Sequence, residues 1–541
     1  MHSREMVASQ LSIMAKMSGL QERLVGQYTT PFSTLIVFAQ LMTCLITIIL
    51  AYGIWRAIYN VYFHPLRHFP GPPLAAVSDF FKLWILSTRQ NHTLSITAHA
   101  KYGPILRAAP NLLSVNDPHM LPLIYHRYVD KTDVYTAGLL GETTPPFQTL
   151  GWQEHARKRK MIAPSFSLSN LMKLEGQVDE RVIEWTNAIG DRFADSKSCN
   201  IFDFAAWSQW YAYDTICQLS FGEPLGFVRE GRDIANLIHN FHAMAPFAAV
   251  VGALPWLCAP FLQSALTKRF FMPKPGDGSG TGKIMAFRDA LLKERLENPK
   301  QHQKGDFLDN ILAAKHEDGT PISLEAVKTE CLVLMVAGSD TSAALLCGFL
   351  RYTIEQPEIY AKLIAEIDDF DRRGLLSSPV PTLEEIKKLR YFVACFKEAV
   401  RFQPSAPILY PRYVGKDGLN LNGKWVPPGT EIGANPYVIH RDTGVFGEDA
   451  AKFNPDRWLD PAKDKEMDKY ILGWGYGTRS CLGKNIATLE AYKLMIQFFR
   501  LFKPSIVNPD KVWTQKNLAL LVHFDMRIRV ERRNVTGKCN P

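Results

Sequence analysis

The chain has 541 residues, 47% of them hydrophobic and 21% charged, which suits a large globular body and excludes a disordered or fibrous one. Its formal net charge is +9, but neither zinc-finger spacing nor a basic-aromatic strip accompanies that charge. Nucleic acid is therefore not an expected partner, whereas an anionic membrane or an acidic protein is. Nine widely spaced cysteines, an odd number with no C-x-x-C, argue against a disulfide framework or a zinc site and for a reducing compartment.

In chain order, residues 1–31 read as an N-terminal tail. From Phe32 to Trp55 there are 24 positions without a charge, and about 20 apolar residues suffice to cross a bilayer as a helix. Residues 32–55 are therefore the expected transmembrane anchor, closed by Arg56 with Tyr52, Trp55 and Tyr59 as interfacial aromatics. Residues 56–73 follow as a proline-rich hinge, and 74–541 as one large domain. Lys16 and Arg23 on one side balance Arg56 and Arg67 on the other, so charge bias leaves the orientation open.

Within the large domain, Lys101–Asp117 reads as short strands joined by turns, and Leu168–Asn240 carries helical spacing. Ser323 is the expected N-cap of a helix running to about Gln356, before Pro357. Its 30-odd residues would span roughly 45–50 Å. Thr382 and Glu385 form a capping-box pattern that opens the next helical region, which Pro404 ends. Short strands then fall within Gly415–Ile432, and a last helix follows Gly483. The expected architecture is mainly α with minor β-sheets.

One stretch carries chemistry: Trp474-Gly475-Tyr476-Gly477-Thr478-Arg479-Ser480-Cys481-Leu482-Gly483. A glycine-punctuated loop here delivers one cysteine to a helix N-terminus, where unpaired N–H groups and the helix dipole are expected to lower the thiol pKa. Gly477 and Gly483 are the expected sites of tight turns and close backbone approach. Arg479 reaches an anionic group beside the sulfur. Alone, a cysteine is more often buried structure than ligand; the surrounding glycines and arginine reverse that preference.

This decapeptide resembles the haem-binding signature of the cytochrome P-450 superfamily, whose first position is usually Phe where this chain has Trp474. An indole N–H near the sulfur would tune the metal by a hydrogen bond. The resemblance implies the helical P-450 fold preceded by one transmembrane helix, with Cys481 as the iron ligand of heme b. Further motifs agree with it in order. Ala337-Gly338-Ser339-Asp340-Thr341 lies inside the long helix, where Thr341 can bond back to the Ala337 carbonyl and open a groove. In the family that groove holds O2, with Asp340 and Thr341 as proton relay. Glu398-x-x-Arg401, together with Arg457 in Phe453–Trp458, matches the family's structural Glu-Arg-Arg network. His155, Arg159, Arg412 and Arg479 stand where relatives bind the haem propionates, with Lys158 or Arg157 as substitutes for Arg159.

The hinge, KYGPILRAAPNLLSVNDP and the run from His440 to Leu459 look most like fungal secondary-metabolism members of the pisatin-demethylase-like sort. The family reading implies insertion of one oxygen atom from O2 into a hydrophobic terpenoid, polyketide or alkaloid. NADPH would supply electrons through a separate NADPH-cytochrome reductase, since the chain has no nucleotide fingerprint of its own. It also implies an endoplasmic reticulum membrane location with the catalytic domain in the cytosol. Candidate pocket segments are Lys131–Leu150, Phe241–Phe261, Met335–Ala337, Ala406–Leu409 and Leu518–Leu520. Two alternatives stand beside this: a haem-thiolate isomerase or dehydratase that needs no O2, and a non-catalytic haem-binding membrane protein.

Overall fold

The computed structural model describes residues 31–136, 143–196, 200–270, 273–278, 280–297, 305–510 and 513–533, so the expected tail at 1–30 lies outside the described residues. The chain divides into two units, Met1–Arg67 and His68–Pro541. In the first, helix α1 (Pro31–Ile58) continues as a π-helical turn over Tyr59–Phe63. Leu35–Phe63 is long and apolar enough to cross a membrane, and its leucines, isoleucines and Trp55 are exposed. Thr43 and Thr47 donate their hydroxyls to the carbonyls four residues earlier, at 2.8 Å each, so neither presents an unpaired polar group to lipid. Deleting residues 1–55 is expected to move the protein from a carbonate-resistant membrane fraction into the supernatant. Retention of the truncated chain in the pellet would remove this helix as the anchor.

The second unit is built on helices. Those that position the site are α2 (Trp152–Ile162), α3 (Phe204–Phe221), α4 (Leu237–Ala243), α5 (Leu324–Ile354), α6 (Arg390–Phe402) and α7 (Lys484–Leu501). Ser323 caps α5 as its sequence suggests, its Oγ accepting the Ala326 N–H at 3.2 Å. Helix α5 is also long and apolar enough to cross a membrane. Its Leu332, Met335, Leu346, Phe349 and Leu350 are nevertheless fully buried against α3, α6 and α7, which makes it the spine of the core. Burying each such side chain is worth about 1.5–3 kcal/mol.

The Thr382–Glu385 capping box is present, but it opens only a single turn, Leu383–Ile386. The longer helix α6 begins separately at Arg390, after a break that follows Ile386. The sheets are minor. A four-stranded one pairs β1 (Ile105–Ala109) with β2 (Leu112–Val115), and β2 in parallel with β4 (Glu431–Ala434), which β3 (Arg412–Tyr413) borders. A hairpin of β5 (Thr514–Asn517) and β6 (Leu521–Phe524) lies against α5. Among the described residues the seven cysteines are all free.

Candidate active site

The cysteine loop is held by its own backbone. Two 3-10 turns, Leu472–Trp474 and Gly477–Arg479, flank Gly475 and Tyr476. The left-handed positions are Gly475 (φ 73) and Gly477 (φ 59). Gly483, at φ −79, is an ordinary N-cap position, so the expected conformational role there passes to Gly475. A Cβ on Gly477 would sit 3.1 Å from the Tyr125 carbonyl oxygen. The Cys481 N–H donates to the Trp474 carbonyl at 2.6 Å, which closes the loop. Trp474 thus holds the cysteine through its main chain, and no indole-to-sulfur hydrogen bond occurs among the described residues.

Cys481 is exposed immediately before α7. The expected lowering of its pKa does not follow from the protein atoms. The protein packed around the loop desolvates the sulfur and pushes the thiol up although the residue reaches the surface, opposed by the Gly483 N–H, the Arg159 charge, and the Lys484 N–H and charge.

Around the cysteine stand five basic side chains. Arg159 Nη1 donates to the Ser480 carbonyl at 2.7 Å, and Arg479 donates to the carbonyls of Thr149 (3.1 Å) and Leu150 (2.8 Å). Arg412 Nη1 donates to Tyr135 Oη at 2.8 Å and to the Pro411 carbonyl at 2.9 Å, while its buried Nε has no partner. His155 is buried on α2, and its pKa is pushed down to about 3 by burial, then by Arg479, Lys131, Arg159 and Arg412. Lys131 is the member the sequence did not single out, since a lysine opening a loop has no signature. It is buried, donates to the Phe147 carbonyl at 2.5 Å, and is lowered to about 6 by burial and by Arg412, Arg479 and Arg159.

Among the described residues, the side-chain hydrogen bonds of Lys131, Arg159, Arg412 and Arg479 go to carbonyl and hydroxyl oxygens and to no carboxylate. Their mutual repulsion and the unpaired Arg412 Nε fit a flat ligand with two carboxylates and a central metal for the sulfur. Of the substitutes considered for Arg159, Lys158 pairs with Glu154 at 2.7 Å and Arg157 is exposed.

Helix α5 forms the facing wall. Thr341 Oγ1 donates to the Ala337 carbonyl at 2.7 Å, and Ser405 Oγ donates to the Thr341 carbonyl at 2.8 Å. Ala337 is exposed in the middle of this mostly buried helix. Gly338 has no room for a side chain, because a Cβ there would lie 2.8 Å from Ile216 Cγ1 of α3. Leu345 of α5, Ser405 and Trp474 line one small cavity, which brings the helix beside the cysteine loop. Asp340 is buried, and its carboxylate is held by Gln209 of α3 and by His242 of α4. Neither partner is legible in the pentapeptide.

The family model for Cytochrome P450 matches residues 70–527. This chain belongs to the cytochrome P450 family. It is 31% identical over 470 residues to "Quiannulatic acid synthase" of Emericella variicolor, covering 84% of this chain and 90% of that protein. It is 32% identical over 497 residues to "Cytochrome P450 monooxygenase cicH" of Emericella nidulans, covering 89% and 97%. "Cytochrome P450 monooxygenase gsfF" of Penicillium aethiopicum is 28% identical over 491 residues, 88% of this chain and 96% of that one.

This P450 supports its cysteine loop from behind with a buried ionic network. Glu398 and Arg401 of α6 are fully buried and bidentate, at 2.7 and 2.8 Å. Glu398 also accepts from Arg457 Nε (3.2 Å), the Trp458 indole (2.8 Å) and the Asn454 N–H (2.7 Å). Arg401 donates onward to the carbonyls of His440 (2.6 Å), Ala450 (2.7 Å) and Lys452 (2.8 Å). His440 completes the link. Its Nδ1 lies 2.8 Å from the Arg401 carbonyl, and its Nε2 accepts the Leu472 N–H at 2.8 Å, at the start of the turn that leads to Trp474. That tautomer needs a neutral ring, and burial lowers its pKa to about 3. Trp458 and His440 stand in the matching runs of the sequence, but their hydrogen bonds into this network come from tertiary contact alone.

Proposed function

We propose that this P450 is a membrane-anchored monooxygenase that inserts one oxygen atom of O2 into a hydrophobic small molecule, with Cys481 as the ligand of a heme b iron. The observation that carries this reading is the exposed Cys481 at the head of α7, framed by basic side chains that pair with no carboxylate among the described residues and faced by the Thr341 groove. Arg159, Arg412, Arg479 and Lys131 would hold the haem carboxylates by charge, and neutral His155 by an N–H. Bound haem supplies the redox chemistry that activates O2. NADPH and a separate NADPH-cytochrome reductase supply the electrons, and the exposed Arg157 and Lys160 on α2 suit an acidic docking partner.

The protein's own part in the chemistry is proton management and exclusion of water. Thr341 Oγ1 can rotate from the Ala337 carbonyl to donate into the groove, and Asp340 is the acid next to it. Its partners Gln209 and His242 hold that acid ready. Apolar residues of the Phe241–Phe261 segment, among them Met244 and Phe247, suit a lipophilic substrate. The fungal relatives, one of them named for synthesis of quiannulatic acid, support a secondary metabolite of terpenoid, polyketide or alkaloid type. Helix α1 and the free cysteines support the endoplasmic reticulum membrane, with the catalytic unit in the cytosol.

Thr341→Ala is expected to keep NADPH consumption but to lower product formed per NADPH by about 10-fold or more, the missing proton transfer appearing as peroxide release. An unchanged product-to-NADPH ratio would remove Thr341 from the relay. The test of the function is a lipophilic-compound screen with NADPH, reductase and isotopically labelled O2. One labelled oxygen atom per product is the expected result. A product formed without O2 or NADPH would favour the isomerase reading, against which the intact Asp340–Thr341 pair argues.

A further inference from the structure

The buried acid of α5 has a titratable partner on a different helix. His242, near the end of α4, places Nε2 2.9 Å from Asp340 Oδ2. Gln209 of α3 donates its amide to Asp340 Oδ1 and lies 3.3 Å from His242 Nε2. An imidazole nitrogen that donates to a carboxylate has no lone pair left to accept from Gln209, so this network places a proton on Nε2. The two side chains differ in access: Asp340 is 3% exposed and His242 is 17% exposed. Asp340 also borders a small cavity with Gln209, Ala343 and His523, the last of which has a buried, unpartnered Nδ1.

From this geometry we propose that His242 supplies protons to the active site, passing its Nε2 proton to Asp340 and recovering a proton from solvent. The proposal rests on the monooxygenase reading above. In the transfer the Nε2–H bond breaks with its electron pair remaining on nitrogen, and an O–H bond forms at Asp340 Oδ2. The neutral imidazole keeps its Nδ1 proton until solvent restores the cation. His242 does not meet the reacting atoms; it acts through Asp340.

The surroundings favour the charged imidazole. Burial opposes the cation, but the Asp340 hydrogen bond and charge, with the Asp233 charge, outweigh it and raise the His242 pKa above 6.5. Asp233 stands in the turn before α4 and accepts the N–H groups of Ile238 and His239 at 3.2 and 2.9 Å. Tyr213 of α3 feels both carboxylates. Lys283, on the helix Gly280–Glu297 packed against α4, spends its ammonium on the Ala235 carbonyl at 3.1 Å. Across the groove the Phe524 ring lies 6.5 Å away and carries Lys516 on it at 5.0 Å. The folded-state pKa is above the ordinary value, so the proton donor is fully present at low pH and is lost as pH rises through the folded value.

The test is a histidine NMR titration of the full chain in nanodiscs, alongside turnover measured with NADPH, O2 and reductase alone. The resonance lost in His242→Gln should titrate above 6.5 in the wild type and fall back toward that value in Asp340→Asn. Wild-type turnover should decline as pH rises through the same midpoint. His242→Gln should be about 10-fold slower or more at low pH and flat across the range, with a diminished solvent isotope effect. A His242 resonance unmoved by Asp340→Asn, or a His242→Gln enzyme with the wild-type pH profile, would overturn the proposal. Failure of the monooxygenase reading is seen separately, as a wild-type spectrum without thiolate ligation, and takes this proposal down with it.

Discussion

Cys481→Ala is expected to yield a folded, membrane-bound protein that oxidises no substrate with NADPH and reductase. The fold should survive because the loop closes through the main chain. The Cys481 N–H to Trp474 bond and the Ala487 N–H to the Gly483 carbonyl, at 2.9 Å, need no sulfur. Gly475 and Gly477 retain their left-handed turns, and alanine keeps the Cβ. What is lost is the soft donor proposed for the haem iron, a thiolate that would supply the electron release favouring O–O cleavage. An alanine enzyme with wild-type turnover would show that the chemistry lies elsewhere. An alanine protein that no longer melts cooperatively would show that the sulfur is structural.

Arg401→Ala should be the most damaging change away from the cysteine, destabilising the large unit by about 3–5 kcal/mol because it leaves buried Glu398 without its bidentate partner. The cost reaches the site by a traceable route. Arg401 donates to the His440 carbonyl, and His440 accepts the N–H of Leu472 at the head of the cysteine loop. Haem retention should therefore fall before secondary structure does. Replacing Glu398 and Arg401 together by apolar residues should cost less than the sum of the single changes, since neither charge is then left alone. Chemical denaturation with parallel haem absorbance measures both. Coincident wild-type transitions in Arg401→Ala would contradict this account of the network.

The local elements were legible where one residue and its near neighbours decide the geometry. Ser323 capping α5, the Thr341 bond to the Ala337 carbonyl, and Gly483 preceding α7 all follow from short-range rules. The Glu398–Arg401 pair was legible as an i, i+3 contact, and its burial followed from the family motif alone. Partners recruited through space were not. His242 and Gln209 lie 98 and 131 positions from Asp340, and no periodicity connects them. The contacts of Lys131, His440 and Trp458 were hidden for the same reason, although each residue lies in a segment that the sequence marks.

Local reasoning also misled in two places. A helix N-terminus suggested a lowered Cys481 pKa, but desolvation by the surrounding body outweighs that dipole. The capping box at Thr382 marked a real N-terminus, yet of a four-residue turn, because the sequence between Ile386 and Arg390 breaks before α6.

The most direct measurement is the difference spectrum of the full-length protein, reduced with dithionite and exposed to carbon monoxide. Thiolate ligation by Cys481 predicts a Soret band strongly red-shifted from that of imidazole-ligated haem, present in the wild type and absent in Cys481→Ala. A properly folded wild-type protein that binds no haem, or gives the spectrum of a neutral ligand, would contradict the account.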